Sequence, residues 1–189
     1  MKLNLGCGED YRKKYLNCDI DKNVNIDVRL DIKRLPFKND SINEILISHV
    51  IEYYDVSDLK LIFDEMLRVV KHYAPIFIFV PHAFSVGAFN DIEHTKYFES
   101  NTLFVFLRKS KYLNYNLSIS TYLQFSNKIL SFLINKLDVY KRDKIAKILP
   151  FSCEIAYIVI PDKINGSGIV TYSHSIGNVF KSHGDREKL

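Results

Sequence analysis

The sequence has few of the residues that mark metal-binding, secreted or membrane-spanning proteins. Its three cysteines, Cys7, Cys18 and Cys153, are odd in number, and no two have metal-ligand spacing. This predicts no metal site and indicates reduced thiols, as in a cytoplasmic protein. No apolar run approaches the ~18 residues needed to span a bilayer, and no apolar signal segment follows the first residues. We therefore expect a soluble protein without disulfides.

The length of 189 residues favours one domain with a substantial core. We predict a domain over residues 1–165 and a loosely structured C-terminal tail over 166–189, where no periodic apolar signal remains. The formal net charge of +4 permits an anionic partner without requiring one. A predicted helix over 136–147 carries a cluster of basic residues: Lys136, Lys141, Arg142, Lys144 and Lys147. The cluster is interpreted either as a solvated helix face or as a phosphate-binding surface. No nucleic-acid motif accompanies them, and an oligomer is possible.

Apolar segments alternate with helical patterns in a way typical of α/β proteins. Strands are predicted near 3–5, 16–20, 26–32, 42–48, 76–80, 117–125 and 155–160. A helix opens at Asp55 or Ser57 and carries apolar residues at three- and four-residue spacing. The pattern predicts a Rossmann-like, doubly wound, mostly parallel sheet of about seven strands, the last one antiparallel.

The first strand runs directly into Gly6-Cys7-Gly8. Glycines let a backbone bend sharply and approach a ligand closely, and ligands of open α/β sheets lie beyond the carboxyl ends of the strands. The turn therefore favours a nucleotide-like ligand, with an ordinary tight turn as the alternative.

Two acidic residues follow the next predicted strands. Asp19 suits the two hydroxyls of a ribose, and Asp31 suits an exocyclic amino group, with Ile20 and Ile32 sandwiching a purine ring. The alternative is that both are surface turn aspartates. A nicotinamide dinucleotide ranks low, because Tyr11 stands where a third glycine is expected and Asp19 comes too early.

The ordered motifs Leu3-Asn4-Leu5-Gly6-Cys7-Gly8, Asn17-Cys18-Asp19-Ile20, Asp31 to Ile42, and Ser48-His49-Val50-Ile51-Glu52 resemble class I S-adenosylmethionine-dependent methyltransferases. The resemblance spans residues 2–105 and is closest to the type 11 branch. It implies S-adenosylmethionine as cofactor. By the same resemblance, Gly6 and Gly8 would approach the methionyl part and Asp19 the ribose hydroxyls. Asp31 and the Ile32 backbone would contact the adenine, and Ser48 and His49 would flank the methionine and sulfonium region.

Two features depart from that family. The segment between Gly8 and Asp19 leaves room for barely two helical turns, and Tyr53 replaces the usual histidine after Glu52. Only Met1 and Lys2 precede the first strand, so we expect the site to be open or covered by residues 84–110 or 126–150.

Three histidines are candidates for a catalytic base, because histidine titrates near neutrality. His49 and His82 follow strands, and His94 lies on a loop and is slightly favoured; each has a structural role as its alternative. The Asn/Asp-Pro-Pro-aromatic motif of base and glutamine methylation is absent. This argues against those acceptors and leaves hydroxyl, carboxyl, carbon or small amine acceptors open. We favour a small-molecule or glycan acceptor. A catalytically silent cofactor-binding or partner-subunit protein is the alternative, followed by an NAD-dependent oxidoreductase.

Overall fold

The computed structural model describes residues 1–99, 101–109, 115–124, 141, 152–161 and 170–171. The strands are β1 (Lys2–Leu5), β2 (Leu16–Asp19), β3 (Val28–Arg29), β4 (Glu44–Ser48), β5 (Ile76–Pro81), β6 (Tyr115–Gln124), β7 (Ser152–Pro161) and β8 (Val170–Thr171). The helices are α1 (Val56–Val69), α2 (Val86–Phe89) and α3 (Thr102–Lys109), with a short 3-10 helix at Ile51–Tyr53. Most of the predicted basic segment at 136–147 lies outside these residues.

The strands form one sheet in the order β3-β2-β1-β4-β5-β7-β6-β8. Strands β1 to β5 pair in parallel, and β7 is antiparallel to both neighbours, β5 and β6. This confirms the predicted Rossmann-like α/β sheet with an antiparallel strand near its end. The eighth strand, Val170–Thr171, pairs with β6. It lies within the segment 166–189 that was predicted as a tail, and the other residues of that segment are not among those that the structure describes.

Helix α1 covers one face of the sheet. Asp55 caps it by accepting a hydrogen bond from the Asp58 N–H, as the sequence predicts. Its buried side chains follow the three- and four-residue spacing of an amphipathic helix and join the main core: Leu59, Ile62, Phe63, Met66 and Val69. Strand β5, parallel to β4 and antiparallel to β7, is buried along its whole length, as expected for a strand whose two faces are both covered.

The connection from β1 to β2 contains no helix. The fully buried Asn17 side chain instead stabilises the turns of this connection. Its amide nitrogen donates hydrogen bonds to the carbonyls of Arg12 and Tyr15, at 3.1 and 3.0 Å. Its Oδ1 accepts from the Arg12 N–H at 2.9 Å and from Asn4 Nδ2 at 3.1 Å. Buried polar groups are stable only when hydrogen-bonded, and this network satisfies them without a helix.

Strand β3 has two residues, where the sequence predicted one over 26–32. Asp27 lies outside it, and its carboxylate accepts hydrogen bonds from the Asn17 N–H at 2.7 Å and from the Asn17 side chain at 3.0 Å. None of the helices in the described part of the chain has both the length and the apolar composition needed to cross a lipid bilayer.

Candidate functional site

The Gly6-Cys7-Gly8 turn lies at the carboxyl end of β1 and is held against the end of β2. The Gly6 and Cys7 N–H groups both donate to the Cys18 carbonyl, at 2.8 and 3.1 Å. Both glycines have positive φ, +64° at Gly6 and +49° at Gly8. This left-handed backbone is the conformation that glycine adopts without strain.

The two glycines differ in what surrounds them. A Cβ at Gly6 would lie 2.5 Å from Cγ2 of Val50, so Gly6 is needed for packing against the segment that follows β4. A Cβ at Gly8 would meet no described protein atom within 4 Å. Of the two glycines predicted to approach a ligand, Gly8 is therefore the one whose backbone faces open space.

Asp19, at the end of β2, is tied to the glycine turn. The Gly8 N–H donates to its Oδ2 at 2.8 Å, and the Asp21 N–H donates to its Oδ1 at 2.9 Å. Its side chain is only partly buried, and each carboxylate oxygen has a second lone pair for a further donor. The next residue, Ile20, is 57% exposed.

Asp31 and Ile32 lie just beyond β3. The Asp31 carboxylate is partly buried and accepts from the Lys33 N–H at 2.9 Å. Ile32 is only 4% exposed and packs in the main core. Its side chain therefore has almost no exposed surface with which to sandwich a purine ring beside Ile20, contrary to the expectation from the sequence.

Tyr54 is a further candidate for the site, one that the sequence motifs did not single out. It is partly buried, and burial raises the pKa of its hydroxyl, followed by the charge of Asp31; Asp19 adds a smaller effect. The charges of both acidic residues therefore act on the Tyr54 hydroxyl. Its position directly after the Ser48–Glu52 motif and Tyr53 was the available signal.

Ser48 ends β4 and is partly buried, beside β5. His49 follows with φ +55°, a strained value for a residue with a side chain, and its N–H donates to the Phe79 carbonyl at 2.9 Å. Its side chain is 40% exposed, and its Nδ1 lies 3.5 Å from Oε1 of Glu52. Strain held in this way is typical of functional sites.

The loop after β5 brings a second histidine to this region. The Thr95 and Lys96 N–H groups donate to the Glu52 carbonyl at 2.9 and 3.1 Å, so the loop lies against the segment after β4. His94 packs edge-on against Tyr53, with ring centroids 4.8 Å apart, and its Nδ1 lies 2.9 Å from the Ala88 carbonyl. Nδ1 must therefore carry the proton, which leaves Nε2 as the basic nitrogen.

The third candidate, His82, is fully buried. Its Nδ1 accepts from the Phe84 N–H at 3.1 Å. A buried ring with one nitrogen already engaged has no surface for an acceptor, which fits the structural alternative for this residue.

The cysteines near the turn are buried and unreactive in character. Burial, followed by the charge of Asp19, raises the pKa of Cys7 to about 11, and burial raises that of Cys18 to about 12. Within the part of the chain that the structure describes, no three His, Cys, Asp or Glu side chains come together as metal ligands.

Neither a protein-family model nor a curated protein sequence matches the chain. Solved structures do. It is similar to a SAM-dependent methyltransferase from Archaeoglobus fulgidus, with a TM-score of 0.62 and 18% identity over 84% of each chain. It is also similar to a possible histamine N-methyltransferase from Thermotoga maritima, with a TM-score of 0.56 and 12% identity over 84% of this chain and 81% of the other.

A third similar structure is phosphoethanolamine N-methyltransferase 2 from Haemonchus contortus in complex with S-adenosyl-L-methionine. Its TM-score is 0.53 at 11% identity, over 85% of this chain and 48% of that one. At these identities the likeness concerns the fold. The chain has the fold of class I S-adenosylmethionine-dependent methyltransferases, as its sequence motifs predicted.

Proposed function

We propose that the protein is an S-adenosylmethionine-dependent methyltransferase. The observation that carries the proposal is the junction of β1 and β2, where the Gly8 N–H donates to Asp19 on a turn whose Gly8 side faces open space. This joins the glycine turn and the ribose-type carboxylate into one edge, at the position where open α/β sheets bind nucleotides.

The residues of this edge fit the proposed cofactor. Gly8 leaves room for the methionyl part, Asp19 accepts from the ribose hydroxyls, and exposed Ile20 covers one side of adenine. Asp31 and the Ile32 backbone bind the adenine edge, and Ser48 and His49 flank the methionine. Gly6 contributes by leaving room for the Val50 side chain against the turn. When bound, S-adenosylmethionine supplies a methyl group on a positively charged sulfur.

For the acceptor we propose a small molecule or glycan. His94 and His49 are the candidate bases, since both are partly exposed and lie on segments joined through the Glu52 carbonyl. His82 is left out because it is buried. The names of two similar structures, a possible histamine N-methyltransferase and a phosphoethanolamine N-methyltransferase, support a small acceptor.

Thermal unfolding with added ligands tests cofactor binding. S-adenosylmethionine or S-adenosylhomocysteine at ~100 times its dissociation constant stabilises the fold by roughly 2.7 kcal/mol, whereas NAD gives no shift. A shift with NAD alone would favour the oxidoreductase alternative, and no shift with any ligand would contradict cofactor binding.

The variant for this test is Asp19→Asn, which keeps an oxygen for the Gly8 N–H but loses the charge and one acceptor. We expect it to fold and to lose most of the ligand-induced shift. Asp64→Asn, on the exposed side of α1, is the matched control and keeps the full shift. Equal shifts in both variants would contradict the role of Asp19.

A catalytically silent cofactor-binding protein is the second candidate. The observation that favours it is the absence of a helix between β1 and β2, because a helix N-terminus is a ready site for an anionic group such as the methionyl carboxylate. Methylated product from a metabolite extract, formed by the wild type and lost in Asp19→Asn, would exclude this candidate.

A further inference from the structure

Glu52 is the most unusual ionisable residue in the described part of the chain. It is 1% exposed, and among the residues that the structure describes neither carboxylate oxygen has a hydrogen-bond partner. A buried carboxylate without compensation costs several kcal/mol. The Glu52 carbonyl holds the loop at Thr95 and Lys96, but any residue supplies a carbonyl. The role of the carbonyl therefore does not explain why a carboxylate is buried at this position.

The geometry around this carboxylate leads to His49. Nδ1 of His49 lies 3.5 Å from Oε1 of Glu52, which makes the two an ion pair when the imidazole is protonated. That distance is longer than a hydrogen bond, yet catalytic hydrogen bonds are often long without substrate and shorten in the complex. The His49 ring is 40% exposed while Glu52 is buried, so Glu52 can act on a bound molecule only through the imidazole.

We propose that Glu52 is a positioning residue that holds His49 with Nδ1–H toward the carboxylate and with Nε2 directed to the methyl acceptor as a proton acceptor. The strained backbone of His49, at φ +55°, keeps its ring at this place after β4. Glu52 also stabilises the imidazolium that forms when Nε2 takes a proton, because an opposite charge favours the charged form.

The chemistry of this pair rests on the proposed methyl transfer. An acceptor X–H gives its proton to Nε2 of His49, and the electron pair left on X forms the bond to the methyl carbon. The carbon–sulfur bond breaks, and its electron pair stays on sulfur, which becomes neutral. The imidazolium then releases the proton to solvent.

Other titratable groups surround the pair. Tyr53 lies beside Glu52, and burial together with the hydrogen bond to Asp91 raises the pKa of its hydroxyl to about 12, so it stays neutral while histidine titrates. Asp91, Glu93 and His94 lie on the facing loop. None of them changes in the variants below, which lets an effect be assigned to Glu52.

The test is heteronuclear NMR of the histidine rings in the full chain, without cofactor or acceptor, so that it is independent of the proposed function. Comparison with His49→Gln assigns the His49 signals. Glu52→Gln keeps an acceptor oxygen without the charge, and Glu52→Leu removes both; circular dichroism checks that each variant folds.

In the wild type we expect neutral His49 as the Nδ1–H tautomer. Glu52→Gln keeps that tautomer but moves the titration midpoint of His49 down by about one pH unit, and Glu52→Leu also shifts the tautomer toward Nε2–H. His94, whose Nδ1 faces Ala88, keeps its signals in both and is the internal control. An unchanged His49 midpoint in Glu52→Gln would overturn the proposal, and this result does not depend on whether the leucine variant folds.

Discussion

Gly6 carries the sharpest stability prediction, because two separate costs meet at one position. Gly6→Ala would place a Cβ 2.5 Å from Cγ2 and 3.0 Å from Cγ1 of Val50. The φ of +64° costs a side chain about 1–2 kcal/mol, and forced overpacking adds typically about 1–3 kcal/mol. We therefore expect Gly6→Ala to lower the free energy of unfolding by roughly 2–5 kcal/mol, a large part of the stability of a typical domain.

Gly8 provides the matched control. Its φ of +49° carries the same kind of backbone cost, but a Cβ there meets no described atom within 4 Å. Gly8→Ala should therefore lose only about 1–2 kcal/mol. The difference between the two alanine variants measures the contact with Val50 alone.

A double-mutant cycle separates the clash from the backbone term. Val50→Ala removes the methyl groups that a Cβ at position 6 would meet. In the Gly6→Ala background it should therefore offset part of the loss, with a coupling energy of about 1–3 kcal/mol. Urea unfolding followed by circular dichroism measures all four proteins. The reasoning is refuted if Gly6→Ala is no worse than Gly8→Ala, or if the two changes at Gly6 and Val50 simply add.

Two further predictions concern charge and thiols. The hydrogen bonds from Asn17 lower the pKa of Asp27 below its usual range, so the contribution of this carboxylate to stability is present at neutral pH and is lost as acid protonates it below about pH 4. In urea unfolding, Asp27→Asn should be less stable than the wild type at pH 6, and the two proteins should become equally stable in acid. A difference that does not depend on pH would contradict this. Burial raises the pKa of Cys7 to about 11 and that of Cys18 to about 12. In the Cys153→Ala variant, a thiol reagent at neutral pH should therefore label two cysteines in urea and almost none in the folded protein. Fast labelling of the folded protein would contradict this and show that the turn opens.

Local patterns were enough to predict the sheet and the capped helix. Asp55, the apolar spacing of α1 and the buried run of β5 each act over one or two turns of chain, and the structure has them at the predicted places. Gly8 follows β1 in the turn and Asp19 ends β2, and because parallel strands end at one edge of the sheet the two residues meet there. Their role in binding a cofactor stays a prediction.

What the sequence did not reveal depends on contacts between distant segments. The different roles of Gly6 and Gly8 follow from Val50, which belongs to another strand end. The burial of Ile32 depends on the core beneath it rather than on its neighbours along the chain. Glu52 looked like part of a motif, and only the position of its side chain shows a buried carboxylate without hydrogen bonds.

The connection between β1 and β2 explains how a ligand edge of this kind can exist without the helix that normally follows a glycine turn. Asn4 and Asn17 are paired in register on the two strands, and both are buried. Their side chains bind the backbone of residues 10 to 15 and so fix the turns as a helix would. A helix would also place a positive dipole end near the turn. In its absence, the proposed cofactor binding at this edge would depend more on Asp19, on Ile20 and on contacts after β4, where the proposed His49 and Glu52 pair lies.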